Sequence, residues 1–192
     1  YLIPDGVYRT ESGPRLAPGT RAVMHQRMGF YASPNGRLLV LAFYGICSHP
    51  RDLPCDGTGI GRVVREAYSD GTLGPIYFLR HNRHAGWNCT NTHYPHYTES
   101  SDPAFMTACN ALLADRLATL QWWEEDRSQD GFYAVEGYQA LSYYHLPDGR
   151  VMGLWKWSKA AISADEGATW SPVRDVPSLV MAGAKIWGQR TS

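Results

Sequence analysis

Ser163-Ala-Asp-Glu-Gly-Ala-Thr-Trp170 satisfies the pattern Ser-x-Asp-x-Gly-x-Thr-Trp at every specified position. Such a stretch predicts a hairpin connection. The short side chains of Ser163, Asp165 and Thr169 hydrogen-bond backbone donors of the turn. Gly167 supplies a positive φ, and Trp170 opens the next strand by packing into the core. This chemistry belongs to folding: it fixes a loop and moves no proton.

Working outward, apolar and period-two runs bounded by turn residues recur at Arg21 to Tyr31, Leu38 to Tyr44, Gly61 to Tyr68, Ile76 to Arg80, Ala134 to His145, Val151 to Trp157 and Ala160 to Ser163. Three further turns, Ser33-Pro-Asn-Gly36, Ser69-Asp-Gly71 and Pro147-Asp-Gly149, each lie between two such runs. Strand, Asn/Asp-Gly turn, strand, at fairly even spacing, fits the blades of a propeller and fits a β-sandwich equally well.

The eight-residue pattern resembles the Asp-box, the repeated element of the sialidase-like β-propellers, which sits on outer hairpins away from the active site. With the abundance of aromatics it selects the propeller over the sandwich. The runs Met28-Gly-Phe-Tyr-Ala-Ser-Pro-Asn-Gly-Arg37, Gly59-Ile-Gly-Arg-Val-Val-Arg-Glu66 and Asp70-Gly-Thr-Leu-Gly-Pro-Ile-Tyr77 are similar to bacterial and fungal proteins of that fold, the BNR-repeat proteins. The expected fold is all-β: a portion of a six- or seven-bladed sialidase-like propeller, residues 1–192 forming one incomplete domain of about three to four blades. Tyr1 is no initiator Met, and Trp187 to Ser192 ends within a strand pattern, in keeping with a portion of a longer chain.

One segment departs from the strand pattern. Ser101 or Asp102 as N-cap, Pro103 in the first turn and an apolar stripe of Phe105, Cys109, Leu112, Leu113, Leu117 and Leu120 predict one inserted helix over 102–126. Its Trp122-Trp123 pair reads either as helix packing or as a sugar platform.

At 192 residues, 44% apolar and 19% charged, the composition is that of an ordinary globular chain with one sizeable core. Eighteen basic residues balance eighteen acidic ones without a Lys/Arg run, so no nucleic-acid partner is expected. No apolar run approaches the roughly 20 residues that span a bilayer. Cys47 and Cys55 bracket a short Pro-containing loop and are the favoured disulfide among the three connectivities that Cys47, Cys55, Cys89 and Cys109 allow; four reduced thiols are the alternative. Asn88-Cys89-Thr90 fits the glycosylation sequon, which has meaning only in a eukaryotic secretory setting.

Four of the seven histidines fall within Arg80-His-Asn-Arg-His-Ala-Gly-Trp-Asn88 and His93-Tyr-Pro-His-Tyr97, a stretch that follows the run Ile76 to Leu79 and reads as a strand-end connection. Three readings compete there. His81, His84, His93 and His96 at i, i+3 spacings are candidate metal ligands, without the helix that such a site uses. Alternatively, Arg80 and Arg83 hold a sugar carboxylate, Trp87 stacks on a pyranose, Asn82, His93 and Tyr94 line the site, and a histidine moves a proton. The third reading is a polar surface loop. His49, at the end of the Leu38 to Tyr44 run, is a second candidate for proton transfer. His25 and His145 read as structural. Gly57-Thr-Gly-Ile-Gly61 precedes a strand and reads as a tight bend, and no nucleophile elbow, P-loop or dinucleotide fingerprint occurs. A glycosidase needs two carboxyl groups about 5 to 10 Å apart. Glu66, Asp70, Glu99 and Asp102 fall at turns and caps, so no pair stands out.

The family resemblance implies action on glycans. True sialidases carry a Phe-Arg-Ile-Pro motif, an arginine triad and a Tyr/Glu pair, and Phe-Arg-Ile-Pro is absent here. A closer resemblance is to the propellers that cleave L-rhamnose from glucuronate in plant gums, described as rhamnosidases or lyases, with histidine-centred sites. The expectation is cleavage of a terminal rhamnosyl-uronate linkage by β-elimination, with His49, His81, His84 and Arg80 as catalytic candidates. Exo-α-sialidase hydrolysis and a non-catalytic carbohydrate-binding propeller are the alternatives. An oligo- or polysaccharide is the expected partner, the full-length protein being a secreted or periplasmic monomer. A structural Ca²⁺ suits such folds, and no other cofactor is implied.

Overall fold

The computed structural model describes residues 26–45, 60–83, 86–123, 135, 137–138 and 140–179. The chain divides into two compact units: Tyr1–Leu113 with Asp126–Asp130, and Ala114–Glu125 with Gly131–Ser192.

In the first unit, β1 (Gln26–Ala32), β2 (Leu38–Tyr44), β3 (Gly61–Ala67) and β4 (Tyr77–His81) form an antiparallel meander in sequence order. Leu39 to Tyr44 are all buried, so β2 is covered on both faces and reads as an unbroken apolar run. The first and third connections, β1 to β2 and β3 to β4, are sequence-encoded turns. Ser33 closes one by donating from its backbone N–H to the Arg37 carbonyl at 2.9 Å, and Asp70 braces the other by accepting from the Thr72 N–H at 2.9 Å.

The pairing of β3 with β4 carries the feature on which the site depends. Gly61 faces His81 and Arg62 faces Arg80, yet the next residue, Val63, faces Phe78, so Leu79 is an extra residue, a β-bulge. A bulge of one residue inverts the alternation of side chains. Phe78 and His81 therefore share the face of Val63 and Gly61. That face also carries Ala42 and Tyr44, whose partners are Val63 and Gly61, and it holds the core cluster of Ala42, Tyr44, Ile60, Val63, Phe78 and Trp87. Arg80 lies in the row of Arg62 and Phe43, on the other face.

A single helix over 102–126 is not what forms. Helix α1 (Pro103–Ala114) and helix α2 (Arg116–Trp123) are separate elements because Asp115 acts as a second N-cap, accepting the Ala118 N–H at 2.9 Å. Of the two proposed caps for α1, Asp102 is the one used: its Oδ1 accepts from Ala104 and Phe105 at 2.9 and 3.1 Å. Leu113, placed in the apolar stripe by its spacing, is exposed, and the buried face of α1 is Phe105, Ala108, Cys109 and Leu112. Arg37 ties the elements of this unit together through Glu66 at 2.5 Å and Asp102 at 2.9 Å.

In the second unit, β5 (Ser142–His145), β6 (Val151–Trp155), β7 (Lys159–Ser163) and the short β8 (Arg174–Asp175) form a second antiparallel meander in sequence order. The expected strands Ala134 to His145 and Val151 to Trp157 are shorter than their apolar runs. The loop after β7 is built from its eight-residue pattern. Ser163 Oγ, fully buried, donates to Asp165 at 2.8 Å and accepts the Gly167 N–H at 2.9 Å. Asp165 in turn accepts the Thr169 N–H at 2.8 Å and its hydroxyl at 2.6 Å. These bonds pull the Asp165 carboxyl down to about 2. Gly167 has φ +78°, and a Cβ there would sit 2.6 Å from Leu117 Cδ2 of α2. Trp170 does not open a strand, since β8 starts at Arg174. Its indole packs edge-on to Trp155 with centroids 5.1 Å apart and covers Gly153, where a Cβ would meet both indoles within 2.7 Å. Leu120, Leu141, Trp155 and Ala161 complete this core.

The expectation of three to four blades rests partly on residues outside those described. No described helix is long and apolar enough to cross a membrane.

Candidate functional site

β4 runs to His81, so Arg80 and His81 close the strand instead of opening the connection after it. The chain then folds back: Asn82 donates its N–H to the Ile60 carbonyl at 2.9 Å, and the Trp87 N–H returns to the Asn82 carbonyl at 3.1 Å. Further on, the Phe78 N–H donates to the Pro95 carbonyl at 2.7 Å, and Phe78 pairs with His96 in a parallel bridge. The connection thus returns alongside β4 and lays His96 beside His81.

His81 is buried at 9% exposure. Its ring stacks with Phe78 at 4.3 Å and with His96 at 5.8 Å between centroids. Its Nε2 lies 3.1 Å from Thr92 Oγ1, and that hydroxyl donates to the Asn88 carbonyl at 2.9 Å. Burial, then the neighbouring positive charges of His96 and Arg83, push the His81 imidazole down to about 4. His96 is lowered too, again chiefly by burial. It caps the 3₁₀ turn Tyr97–Glu99, with its backbone N–H donated to Glu99 at 2.7 Å and its Nδ1 2.9 Å from Thr98 Oγ1. At neutral pH both rings are neutral and keep a basic nitrogen.

The other candidates separate. Arg83 is exposed, and its charge is felt at both histidines. Arg80 stands beside Arg62 on the opposite face of the sheet, so consecutive residues in sequence do not converge. Asn82 is buried. Trp87, expected to offer its ring to a sugar, is buried within the core cluster, which occupies the surface a pyranose would need. Tyr94 is half-buried against Tyr44, at 5.5 Å between centroids, and His93 is exposed beside it. His49 and His84 lie outside the described residues, as do Cys47, Cys55, His25, Gly57 and the side chains of Trp122 and Trp123. Cys89 and Cys109 are free thiols, the first exposed and the second buried, its pKa pushed up to about 12.

His96, named from sequence only as a candidate metal ligand, and Thr92, not named at all, complete the arrangement. The local signal for His96 is the His96-Tyr-Thr-Glu99 capping spacing, which marks a fixed residue. Thr92 has no such mark.

The carboxylates named from sequence are engaged elsewhere: Glu66 and Asp102 with Arg37, Asp70 with Thr72, Glu99 with the His96 backbone. No group of three or more His, Cys, Asp or Glu is placed to hold a metal among the described residues. Asp165 spends its oxygens on Ser163 and Thr169.

Residues 1–139 match the family model described as Beta-prop_BT_1020:-like, N-terminal beta propeller. A solved chain named Sialidase superposes with a TM-score of 0.85 at 46% sequence identity, covering 99% of this chain and 18% of that one. The sequence thus spans less than a fifth of the length of that chain. No curated protein matches it.

Proposed function

Because the chain belongs to the Beta-prop_BT_1020:-like N-terminal beta propeller family and has the sialidase-like propeller fold, we propose that it forms part of a secreted or periplasmic carbohydrate-active protein. Its reaction is cleavage of a terminal rhamnosyl-uronate linkage by β-elimination. The observation that carries this reading is the neutral His81, held at a strand end beside His96 and within the field of the exposed Arg83.

Elimination requires a base to take the proton α to the uronate carboxylate, and a cation to make that proton acidic. His81 takes the proton while Arg83 holds the carboxylate. The C4–O4 bond breaks, a C4=C5 double bond forms, and rhamnose leaves with a proton from solvent on its oxygen. A carboxylate beside the imidazole favours the imidazolium, so substrate itself raises the basicity that burial has lowered. Arg80 is not assigned the carboxylate, because its row faces away from His81. We read Ser163 to Trp170 as an Asp-box that fixes a loop and takes no part in the reaction.

Hydrolysis is the second reading, favoured by the solved chain named Sialidase at 46% identity. The test separates them. The complete protein is incubated with a rhamnose-glucuronate-capped gum oligosaccharide, and free rhamnose and the ultraviolet absorbance of an unsaturated uronate are followed together. Rhamnose with the absorbance rise is the expected result. Rhamnose without it identifies a hydrolase, and neither product overturns the gum assignment.

A further inference from the structure

We propose that Thr92 is a positioning residue that sets the tautomer of His81, placing the ring proton on Nε2 and the basic lone pair on Nδ1. The argument is one of proton counting. A threonine hydroxyl has a single proton to give, and Thr92 donates its own to the Asn88 carbonyl at 2.9 Å. The 3.1 Å contact between Thr92 Oγ1 and His81 Nε2 is then a hydrogen bond only if Nε2 carries hydrogen. The Asn88 carbonyl cannot reverse the direction, since it has no proton to offer. Asn88 is fixed in its turn: its Oδ1 accepts from the Thr90 N–H at 2.8 Å and hydroxyl at 2.6 Å, and its N–H donates to Asn91 Oδ1 at 2.9 Å. The chain from Asn88 through Thr92 to His81 thus runs in one direction.

The consequence is that Nδ1, not Nε2, is the atom that accepts a proton. In a neutral imidazole one nitrogen donates and the other accepts, and the hydrogen bond made by one decides the role of the other. Thr92 acts only through His81 and touches no reacting atom. The charged groups facing His81 are Arg83 and Glu99, the titratable ring beside it is His96, and none of them competes for Nε2.

This inference rests on His81 being the base, and it is tested so that the two fail separately. The complete protein, labelled with ¹⁵N-histidine, is examined by solid-state NMR at pH 7. The His81 signals are assigned by difference against His81→Gln. The native protein and Thr92→Ser are expected to show a protonated Nε2 and an unprotonated Nδ1, while Thr92→Val shows a mixture of tautomers. In turnover, Thr92→Val lowers kcat by about ten- to hundredfold with KM little changed, as loss of orientation does, and Thr92→Ser restores it. A protonated Nδ1 in the native protein overturns the proposal, and so does a Thr92→Val variant with the native tautomer. If no substrate is turned over at all, the functional reading fails, and the tautomer spectra still decide the role of Thr92.

Discussion

Gly61 is the residue whose replacement most directly couples the fold to the site. An added Cβ would lie 2.2 Å from the Arg80 carbonyl oxygen and 3.0 Å from His81 Cα, both backbone atoms, whereas ordinary contact begins near 3.4 Å. In Gly61→Ala the end of β4 must therefore retreat by about 1 Å, because no side-chain rotation relieves a clash with backbone. The retreat weakens one or two backbone hydrogen bonds, worth about 1 kcal/mol each. Overpacking adds about 1–3 kcal/mol. A total of about 2–5 kcal/mol corresponds to a fall of about 4–20 °C in thermal midpoint for a domain of this size. The same movement carries His81 away from Thr92 and His96, and a misplacement of about 1 Å costs on the order of a hundredfold in turnover. Gly149→Ala is the control: φ is +84° with nothing within 4 Å of the added atom, so it costs only the left-handed backbone strain of about 1–2 kcal/mol. The assay pairs thermal unfolding with the rate at which diethyl pyrocarbonate modifies His81, read by peptide mass spectrometry. Gly61→Ala should lose more stability than the control and change His81 reactivity severalfold. If the two variants match in both readouts, the close approach of β3 and β4 is not what positions His81.

The His81 imidazole titrates near 4 in the folded protein against 6.5 for an unperturbed ring, so the unfolded chain binds the extra proton between those values. Its contribution to stability is complete above pH 6.5 and is lost as pH falls towards 4. Denaturant titrations across that window should show a slope that His81→Gln reduces by up to one proton, and an unchanged slope refutes the burial of a neutral ring. Ser163→Ala orphans the buried Gly167 N–H and should cost about 1–3 kcal/mol in equilibrium unfolding, with His81 reactivity untouched. A cost below about 0.5 kcal/mol would mean that water replaces the serine without penalty.

Most strands were legible because their signals are local. Leu38 to Tyr44 is bounded by turn residues and came out at its observed limits. The eight-residue pattern from Ser163 specified its own hydrogen bonds, with the side chains of Ser163 and Asp165 accepting from the turn backbone. What stayed hidden was longer-range or cumulative. Asp115 reads as one more polar residue on an amphipathic helix, yet it ends one helix and caps the next. Trp170 carries a strand-former's side chain but is claimed by the space above Gly153, and β8 waits until Arg174. Trp87 sits among polar neighbours in sequence, and only the return of the chain to Ile60 through Asn82 carries it into the core.

The deepest divergence lies at the bulge, and it changes the chemistry. Strict alternation along β4 puts Phe78 and Arg80 on one face and Leu79 and His81 on the other. The observed pairing makes Leu79 the extra residue, so His81 joins Phe78, and Arg80 is sent to the row of Arg62. A slip of one residue exchanges every side chain beyond it between faces. The sequence cluster Arg80-His81-Asn82-Arg83 looks like a single cation-and-base toolkit, but only part of it is available together. The imidazole of His81 gains the core aromatics as its floor and a buried, neutral state, while Arg83, beyond the strand end, is the cation whose field reaches it. The same register explains why Gly61 must lack a side chain. It stands between Tyr44 and His81 in one cross-strand row, where the β4 backbone presses closest. Bulge, glycine and histidine are therefore one device: the bulge turns the imidazole inwards, and the glycine lets the backbone that carries it come near enough for the core to hold the ring neutral.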